Sequence, residues 1–435
     1  MYKIKIKIYT KNGLEISEAH LFLRYSKISK IIDFEKCFFN LMINQGVFMG
    51  FKSIDYFNID ELYTEEELLI RDSIRKFVDD EVIPIIEQYY FDGKYPEHLT
   101  QKLAELGVFG ITLSEEYGGA GANYTSYGLA MQELERGDSA VRSFASVQNS
   151  LVIYPISRYG TEGQKRKWLP RLVRGEAIGC FGLTEPDFGS NPAGMITTAK
   201  KTDGGFLLNG AKMWITNGTV ADVAVVWAKL DNEIHGFLVE KGTKGFSAPE
   251  MKGKHSLRAS VTSELIFEDC EIPEENILDV AGLRGPLSCL NQARYGIAWG
   301  AIGAALAVFH SALDYSKSRI QFGKPIAKFQ ITQEKLVWML NEITKAQLVC
   351  YRLGRLMDEG KARPEQISFA KRNNVDIALQ CARIAREIHG ANGILGEYPV
   401  MRHSANLESV KTYEGTHEIH TLILGRDITG EDAFE

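Results

Sequence analysis

A chain of 435 residues exceeds what one hydrophobic core usually supports, so two or three domains are expected. Its 45% hydrophobic and 24% charged composition is that of an ordinary globular protein, and a net charge of −6 is the wrong sign for a nucleic-acid surface, leaving room only for a local basic pocket. The cysteines, Cys37, Cys180, Cys270, Cys289, Cys350 and Cys381, are scattered without a Cys-x-x-Cys pair, which points to reduced thiols and to no zinc or other metal site; no apolar run is expected to span a bilayer.

Residues 1–48 open with alternating Lys3, Lys5 and Lys7, lack the order of a secretory signal and form an extension of unknown role. They match a mitochondrial transit segment poorly, because lysine outnumbers arginine and Glu15, Glu18, Asp33 and Glu35 intrude; a start at Met49 would leave them outside the protein proper. A bacterial cytoplasmic protein is therefore expected, or a mitochondrial matrix protein if the segment directs import.

Residues 49–178 read as a helical domain. Thr64-x-x-Glu67 is a capping box opening a helix with Leu68, Ile74, Phe77 and Val78 on one face, closed near Pro84. A second helix over 99–106 stops at Gly107, and a glycine-rich turn, Gly118-Gly119-Ala120-Gly121, precedes a third over 127–135. The composition then changes. Across 179–283, short β-branched and aromatic runs at 206–216, 223–228, 236–239 and 263–268, separated by Gly, Asn and Asp, predict an antiparallel β domain. From Leu287 helix returns, and 284–435 reads as a helical bundle: Leu336, Met339, Leu340, Ile343, Ala346, Cys350 and Leu353 share one face, and Val375, Ala378, Leu379, Ala382 and Ala385 another, before Gly390. The expected fold is α+β and multidomain.

Near the end, residues 411–425 carry Glu414 at a break between helical segments. Gly415 permits close backbone approach, and Thr416 can cap the helix that follows. A carboxylate there, beside Tyr413 and with few other charges, is a candidate base; the alternative is a surface glutamate suited to a helix N-terminus. Other stretches also offer chemistry, each with a structural alternative. Thr184 and Ser190 flank a Gly/Pro-rich loop that suits an anion, or simply a linker. Trp214-Ile215-Thr216 ends a strand where a ring and a hydroxyl can meet a flat ligand, although such a Trp is more often core. Arg319 and Gln330 can hold a diphosphate, or be a solvated helix end. Gly390, Asn392 and Gly393 read first as a helix C-cap. Arg142, with Ser143, sits in an apolar setting suited to a carboxylate, or to an internal ion pair with Asp138 or Glu135.

Together and in this order, these stretches resemble the acyl-CoA dehydrogenase family and, within it, its glutaryl-CoA-oxidising branch. The resemblance runs from about Phe51 to the C-terminus. It is carried by Cys180-Phe-Gly-Leu-Thr-Glu-Pro186, Trp214-Ile-Thr-Asn217, Ser256-Leu-Arg-Ala-Ser260, Asn291-Gln-Ala-Arg-Tyr-Gly-Ile-Ala-Trp299, Gln321-Phe-Gly-Lys-Pro325, Lys371-Arg-Asn-Asn374 and Thr412-Tyr-Glu-Gly-Thr-His417. It implies an N-terminal helical domain, a middle β domain and a C-terminal four-helix bundle, assembled as a homotetramer around FAD.

By the same resemblance Glu414 is the catalytic base for the α proton while a β hydride leaves to the flavin. Thr184, Ser190, Trp214, Ile215, Thr216 and Thr416 would bind FAD, with Arg319, Gln330, Gly390, Asn392 and Gly393 at its diphosphate end across a subunit interface. Ser190, Arg294 and Gly415 would line the acyl-CoA site. Arg142 and Ser143 would bind the distal carboxylate of glutaryl-CoA, and Glu135 with Tyr413 would mark decarboxylating members. The implied activity oxidises glutaryl-CoA to crotonyl-CoA and carbon dioxide, as in lysine and tryptophan degradation, with electrons passed to an electron-transfer flavoprotein. A short or branched-chain acyl-CoA dehydrogenase without decarboxylation, and a non-catalytic acyl-CoA-binding member, are the alternatives. Asn191 departs from the Asp that usually follows Gly-Ser in the family.

Overall fold

The computed structural model describes residues 2–9, 15–23, 51 and 53–434, so the readings that involve Cys37 or a start at Met49 lie outside the described residues. The chain divides into two units, Met1–Lys52 and Ser53–Glu435. In the first, β1 (Tyr2–Tyr9) and β2 (Glu15–Leu23) pair antiparallel with Tyr2 opposite Leu23. The alternation of Lys3, Lys5 and Lys7 is thus a strand period.

The second unit begins with helices. α1 (Glu65–Phe77) starts at the expected capping box: Glu67 N–H donates to Thr64 Oγ1 at 3.2 Å, and Thr64 N–H donates to the Glu67 carboxylate at 2.9 Å. Helix does not close at Pro84. A π-helical segment, Val78–Val82, carries the chain on from α1 into α2 (Ile83–Asp92), where Pro84 lies in the first turn. α3 (His98–Glu105), α4 (Tyr124–Gly137), α5 (Ser139–Ser146), α6 (Tyr154–Tyr159) and α7 (Glu162–Val173) complete the region. Asp138, extended between α4 and α5, caps α5 by accepting the Ala140 N–H at 2.7 Å.

The β region is mixed, which corrects the antiparallel expectation. Its strands are β3 (Gly179–Gly182), β4 (Thr198–Thr202), β5 (Gly205–Thr216), β6 (Val223–Leu230), β7 (Glu233–Glu240), β8 (Phe246–Ser247), β9 (Thr262–Pro273) and β10 (Ile277–Ala281). Both β3 and β4 run parallel to β6, whereas the other pairings are antiparallel. The parallel strands are the ones the residue pattern hides: β3 is four buried residues with two glycines, and β4 is Thr-Ala-Lys-Lys-Thr with only Ala199 buried. Phe206, Leu208, Val226, Phe237, Leu265 and Phe267 are among the residues that fill the core on the sheet.

α8 (Arg284–Ser318) is the axis of the bundle. It is long and apolar enough to cross a membrane, contrary to the expectation that no run reaches that length, but 78% of its most apolar window is buried in the protein. A helix apolar all round is what a bundle centre requires. Its glycines admit α4: a Cβ at Gly300 would lie 2.0 Å from Glu135 Oε2, and one at Gly303 only 1.8 Å from the Gln132 carbonyl oxygen. Beyond a hairpin of β11 (Ile320–Gln321) and β12 (Lys324–Pro325) come α9 (Gln330–Asp358), α10 (Pro364–Ile388), α11 (Val400–Thr412) and α12 (His417–Thr429). The apolar faces expected on α9 and α10 are buried, except that Leu340 is only half-buried.

Candidate active site

Between α11 and α12 the chain turns through two successive left-handed residues, Glu414 at φ 53° and Gly415 at φ 95°. For a glutamate this conformation costs about 1–2 kcal/mol, so the surroundings must hold it. A Cβ at Gly415 would lie 2.9 Å from His420 Nε2 and 3.2 Å from Arg294 Nη2, so both backbone and space require glycine. Thr416 caps α12 as expected, accepting the Ile419 N–H at 3.2 Å. Arg294, from α8, donates Nε–H to the Glu414 carbonyl at 2.8 Å. It therefore grips the backbone of the break as well as flanking it.

The charges around Glu414 are more numerous than expected. Burial raises its pKa to about 7, while Arg142, Lys371 and Arg294 pull it back. Glu414 is half-buried as a residue, yet its Oε2 is inaccessible and has no hydrogen-bond partner among the described residues. Arg142, on α5, is completely buried. Its Nε–H donates to Glu135 Oε2 at 2.5 Å and its Nη2 to the Tyr413 hydroxyl, with the guanidinium 5.7 Å from the centre of the Tyr413 ring. Burial opposes the charge on Arg142, but Glu135 and Tyr413 more than compensate and keep it protonated. Ser139 Oγ donates to the other Glu135 oxygen at 2.8 Å, so both oxygens of that carboxylate are engaged. The remaining group, Arg142 Nη1, is buried without a hydrogen-bond partner among the described residues. Of the ion pairs considered for Arg142, the one with Glu135 forms; Asp138 instead pairs with Arg402. Ser143 is buried beside Arg142 on α5.

A second group gathers at the sheet. Between Lys212 and Ile215 the register of β5 against β9 shifts, and in this bulge Trp214 adopts φ 64° and is 60% exposed. Trp214 is therefore not a core residue, while Ile215 beside it is buried. The Met213 N–H donates to the Thr184 carbonyl at 2.9 Å, bringing Thr184 alongside the strand end with Thr216. An exposed indole at a strand end that also carries Thr216, with Thr184 on the adjoining loop, suits a flat heteroaromatic ring with polar edges, and so fits the flavin that the resemblance implies. Asn217, to which the sequence assigns no role, is fully buried at φ 68°, with both amide atoms unpartnered among the described residues. Ser190 lies exposed on the loop after Thr184. Arg319 and Gln330 stand exposed around the β11–β12 hairpin. Gly390, Asn392 and Gly393 form a 3-10 turn against the end of α8, where Asn392 Nδ2 donates to the Tyr315 hydroxyl at 3.2 Å. No hydrogen bond among the described residues joins these last two groups to Trp214 or Glu414.

Lys371 stands in one of the motifs that carry the resemblance, but the sequence assigns it no role in the site. Its signal was present: Lys371 falls within the stripe of Ile367, Ala370, Asn374 and Val375, which α10 buries. A lysine there needs internal acceptors, and it donates to the carbonyls of Tyr413 at 3.0 Å and Gly415 at 2.8 Å.

Sequence models of the acyl-CoA dehydrogenase N-terminal, middle and C-terminal domains match residues 64–176, 180–270 and 281–429. An acyl-CoA dehydrogenase of Bacillus subtilis is 38% identical over 374 residues, covering 84% of this chain and 99% of its own. The structure of a glutaryl-CoA dehydrogenase from Mycobacterium smegmatis in complex with FADH2 is 50% identical with a TM-score of 0.86, covering 87% of this chain and 98% of its own. A glutaryl-coenzyme A dehydrogenase complexed with glutaryl-CoA is 32% identical with a TM-score of 0.82, covering 85% and 96% of the two chains. Helical, mixed-sheet and helical regions in this order, matched along their length by all three domain models, make this chain a member of the acyl-CoA dehydrogenase family.

Proposed function

We propose that the chain oxidises glutaryl-CoA between its α and β carbons and decarboxylates the product to crotonyl-CoA. The observation that carries this reading is a pair of orphaned groups in one buried cluster, the donor Arg142 Nη1 and the acceptor Glu414 Oε2. An unmet buried donor costs about 1–3 kcal/mol, which a substrate carboxylate on Arg142 would offset. Glu414 Oε2 is then the atom that takes the α proton, and the Glu414 backbone N–H supports the negative charge developing on the thioester oxygen. Tyr413 and Glu135 hold the Arg142 guanidinium so that one edge faces the ligand. Loss of carbon dioxide leaves the C–C bonding pair on the dienolate, and Glu414 then returns its proton to the γ carbon, which gives crotonyl-CoA and restores the carboxylate.

FAD, when bound, supplies the two-electron acceptor for the β hydride. Thr184, Ser190, Trp214, Ile215, Thr216 and Thr416 are its ring-side residues in this reading, and Arg319, Gln330, Gly390, Asn392 and Gly393 its diphosphate-side residues. Exposure of Arg319 and Gln330 fits a homotetramer in which they serve a neighbouring subunit's flavin, and an electron-transfer flavoprotein is the expected oxidant of the reduced enzyme. The deciding experiment is anaerobic mixing of the yellow protein with glutaryl-CoA. Bleaching of the flavin together with the mass of crotonyl-CoA is expected; bleaching that yields glutaconyl-CoA alone would reject decarboxylation.

A second reading, a short or branched-chain dehydrogenase, draws on one fact: Glu135 already neutralises Arg142. Arg142→Ala separates the two. It is expected to lower kcat/KM on glutaryl-CoA by about 10²-fold or more, the scale of a lost charged hydrogen bond, and to alter butyryl-CoA turnover far less. Equal losses on both substrates would favour the second reading.

A further inference from the structure

Lys371 is 1% exposed and reaches from α10 into the break between α11 and α12. Its ammonium donates to the Tyr413 carbonyl at 3.0 Å and to the Gly415 carbonyl at 2.8 Å, the two carbonyls that flank Glu414. Arg294 takes the carbonyl between them at 2.8 Å. Three successive carbonyls are thus held by two buried cations from two helices of the bundle, around a glutamate at φ 53°. Around this left-handed Glu414 a single ammonium reaches both flanking carbonyls, so Lys371 ties the two sides of the turn to α10.

We propose that Lys371 is the positioning residue of the reaction, clamping the carbonyls on either side of Glu414 so that its carboxylate is held toward the substrate's α carbon. This rests on the reading of Glu414 as the base. The clamp is also electrostatic. The groups that face Lys371 are Glu414 and Glu418, which favour its charge, and Arg294 and Arg142, which oppose it; with burial as the largest influence its pKa falls to about 7. The neutral ring of His420 lies against the same turn, its pKa pushed down to about 2 by burial, Lys371 and Arg294. Lys371 is one of the three cations that lower the Glu414 pKa, so removing it should make the base harder to ionise.

The test uses purified FAD-loaded enzyme, with flavin content and thermal melting as controls, and follows anaerobic flavin reduction by glutaryl-CoA against pH. For Lys371→Met the limiting reduction rate is expected to fall by about 10²-fold, the scale of an ångström-level misplacement, with little change in substrate affinity. The acidic limb of its pH profile should move to higher pH. Lys371→Arg keeps the charge while replacing a point donor with a planar fork, so its limb should stay in place while its rate falls by about tenfold or more. A Lys371→Met enzyme with full flavin, wild-type limiting rate and an unmoved limb would overturn the proposal. If that variant does not retain flavin, Lys371→Arg decides, and a wild-type rate in it overturns the proposal equally. Glu414→Gln in the same assay separates the two claims: near-normal reduction there would remove the base assignment, whereas an inert Glu414→Gln beside a normal Lys371→Met would remove only the clamp.

Discussion

At the scale of residues, Glu414 combines an orphaned, inaccessible Oε2 with a pKa lifted to about 7, burial outweighing the pull of Arg142, Lys371 and Arg294. On the proposed reading only the carboxylate accepts the α proton. The rate of flavin reduction at low substrate should therefore fall about tenfold for each pH unit below the pKa and level off above it. Rapid-mixing bleaching measured against pH checks this, and a flat profile through neutrality would exclude Glu414 as the base. The same shift bears on stability. Between the ordinary value of 4.5 and about 7 the folded protein keeps a proton that the unfolded chain has released. That contribution is complete below the lower value and is lost as pH rises through the upper one.

Among the elements, α8 constrains where α4 and its Glu135 sit, because at Gly303 the two helices approach backbone to backbone. With the Gly303 position 1.8 Å from a backbone oxygen, Gly303→Ala must push α4 and α8 apart, and α4 carries Glu135. A loss of about 1–3 kcal/mol is expected, read as a lower melting temperature. Gly425, within α12, has nothing within 4 Å of its would-be Cβ, and Gly425→Ala should be neutral or stabilising by about 0.5–1 kcal/mol. Similar effects from both substitutions would mean that helix propensity, and not close approach, accounts for Gly303.

Across the unit Ser53–Glu435, Asp138 joins the N-terminal helices, the sheet region and the bundle. Its carboxylate caps α5, accepts from Asn406 Nδ2 at 3.0 Å and pairs with Arg402, both on α11, while Asn406 Oδ1 accepts the Leu257 N–H of the β region at 2.8 Å. Arg402 also reaches Glu87 at 2.7 Å and the Gly137 carbonyl at 3.0 Å. One buried carboxylate thereby sets the helix that bears Arg142 against the helix that leads into Glu414. Asp138→Ala uncaps α5 and leaves Arg402 only partly paired, so a loss of about 3–5 kcal/mol is expected in denaturant unfolding. An unchanged midpoint would show that the junction contributes nothing to stability.

The residue pattern by itself determined the helix, sheet and helix order, the start of α1, the buried faces of α9 and α10, and the cap at Thr416, because each of these depends on side chains within a few positions of one another. Motifs also singled out Arg142, Tyr413 and Glu414 by resemblance. The tertiary structure decided what no local pattern carries. Parallel pairing of β3 and β4 with β6 depends on partners remote in sequence, and neither strand shows a clear alternation of its own. Trp214 leaves the core because a bulge turns it outward. Arg142 and Tyr413 meet across 271 positions, and Lys371 finds its acceptors 42 and 44 positions away. Those acceptors are backbone carbonyls, which every residue possesses, so nothing in the side-chain sequence marks them until the left-handed turn at Glu414 aims both at one ammonium.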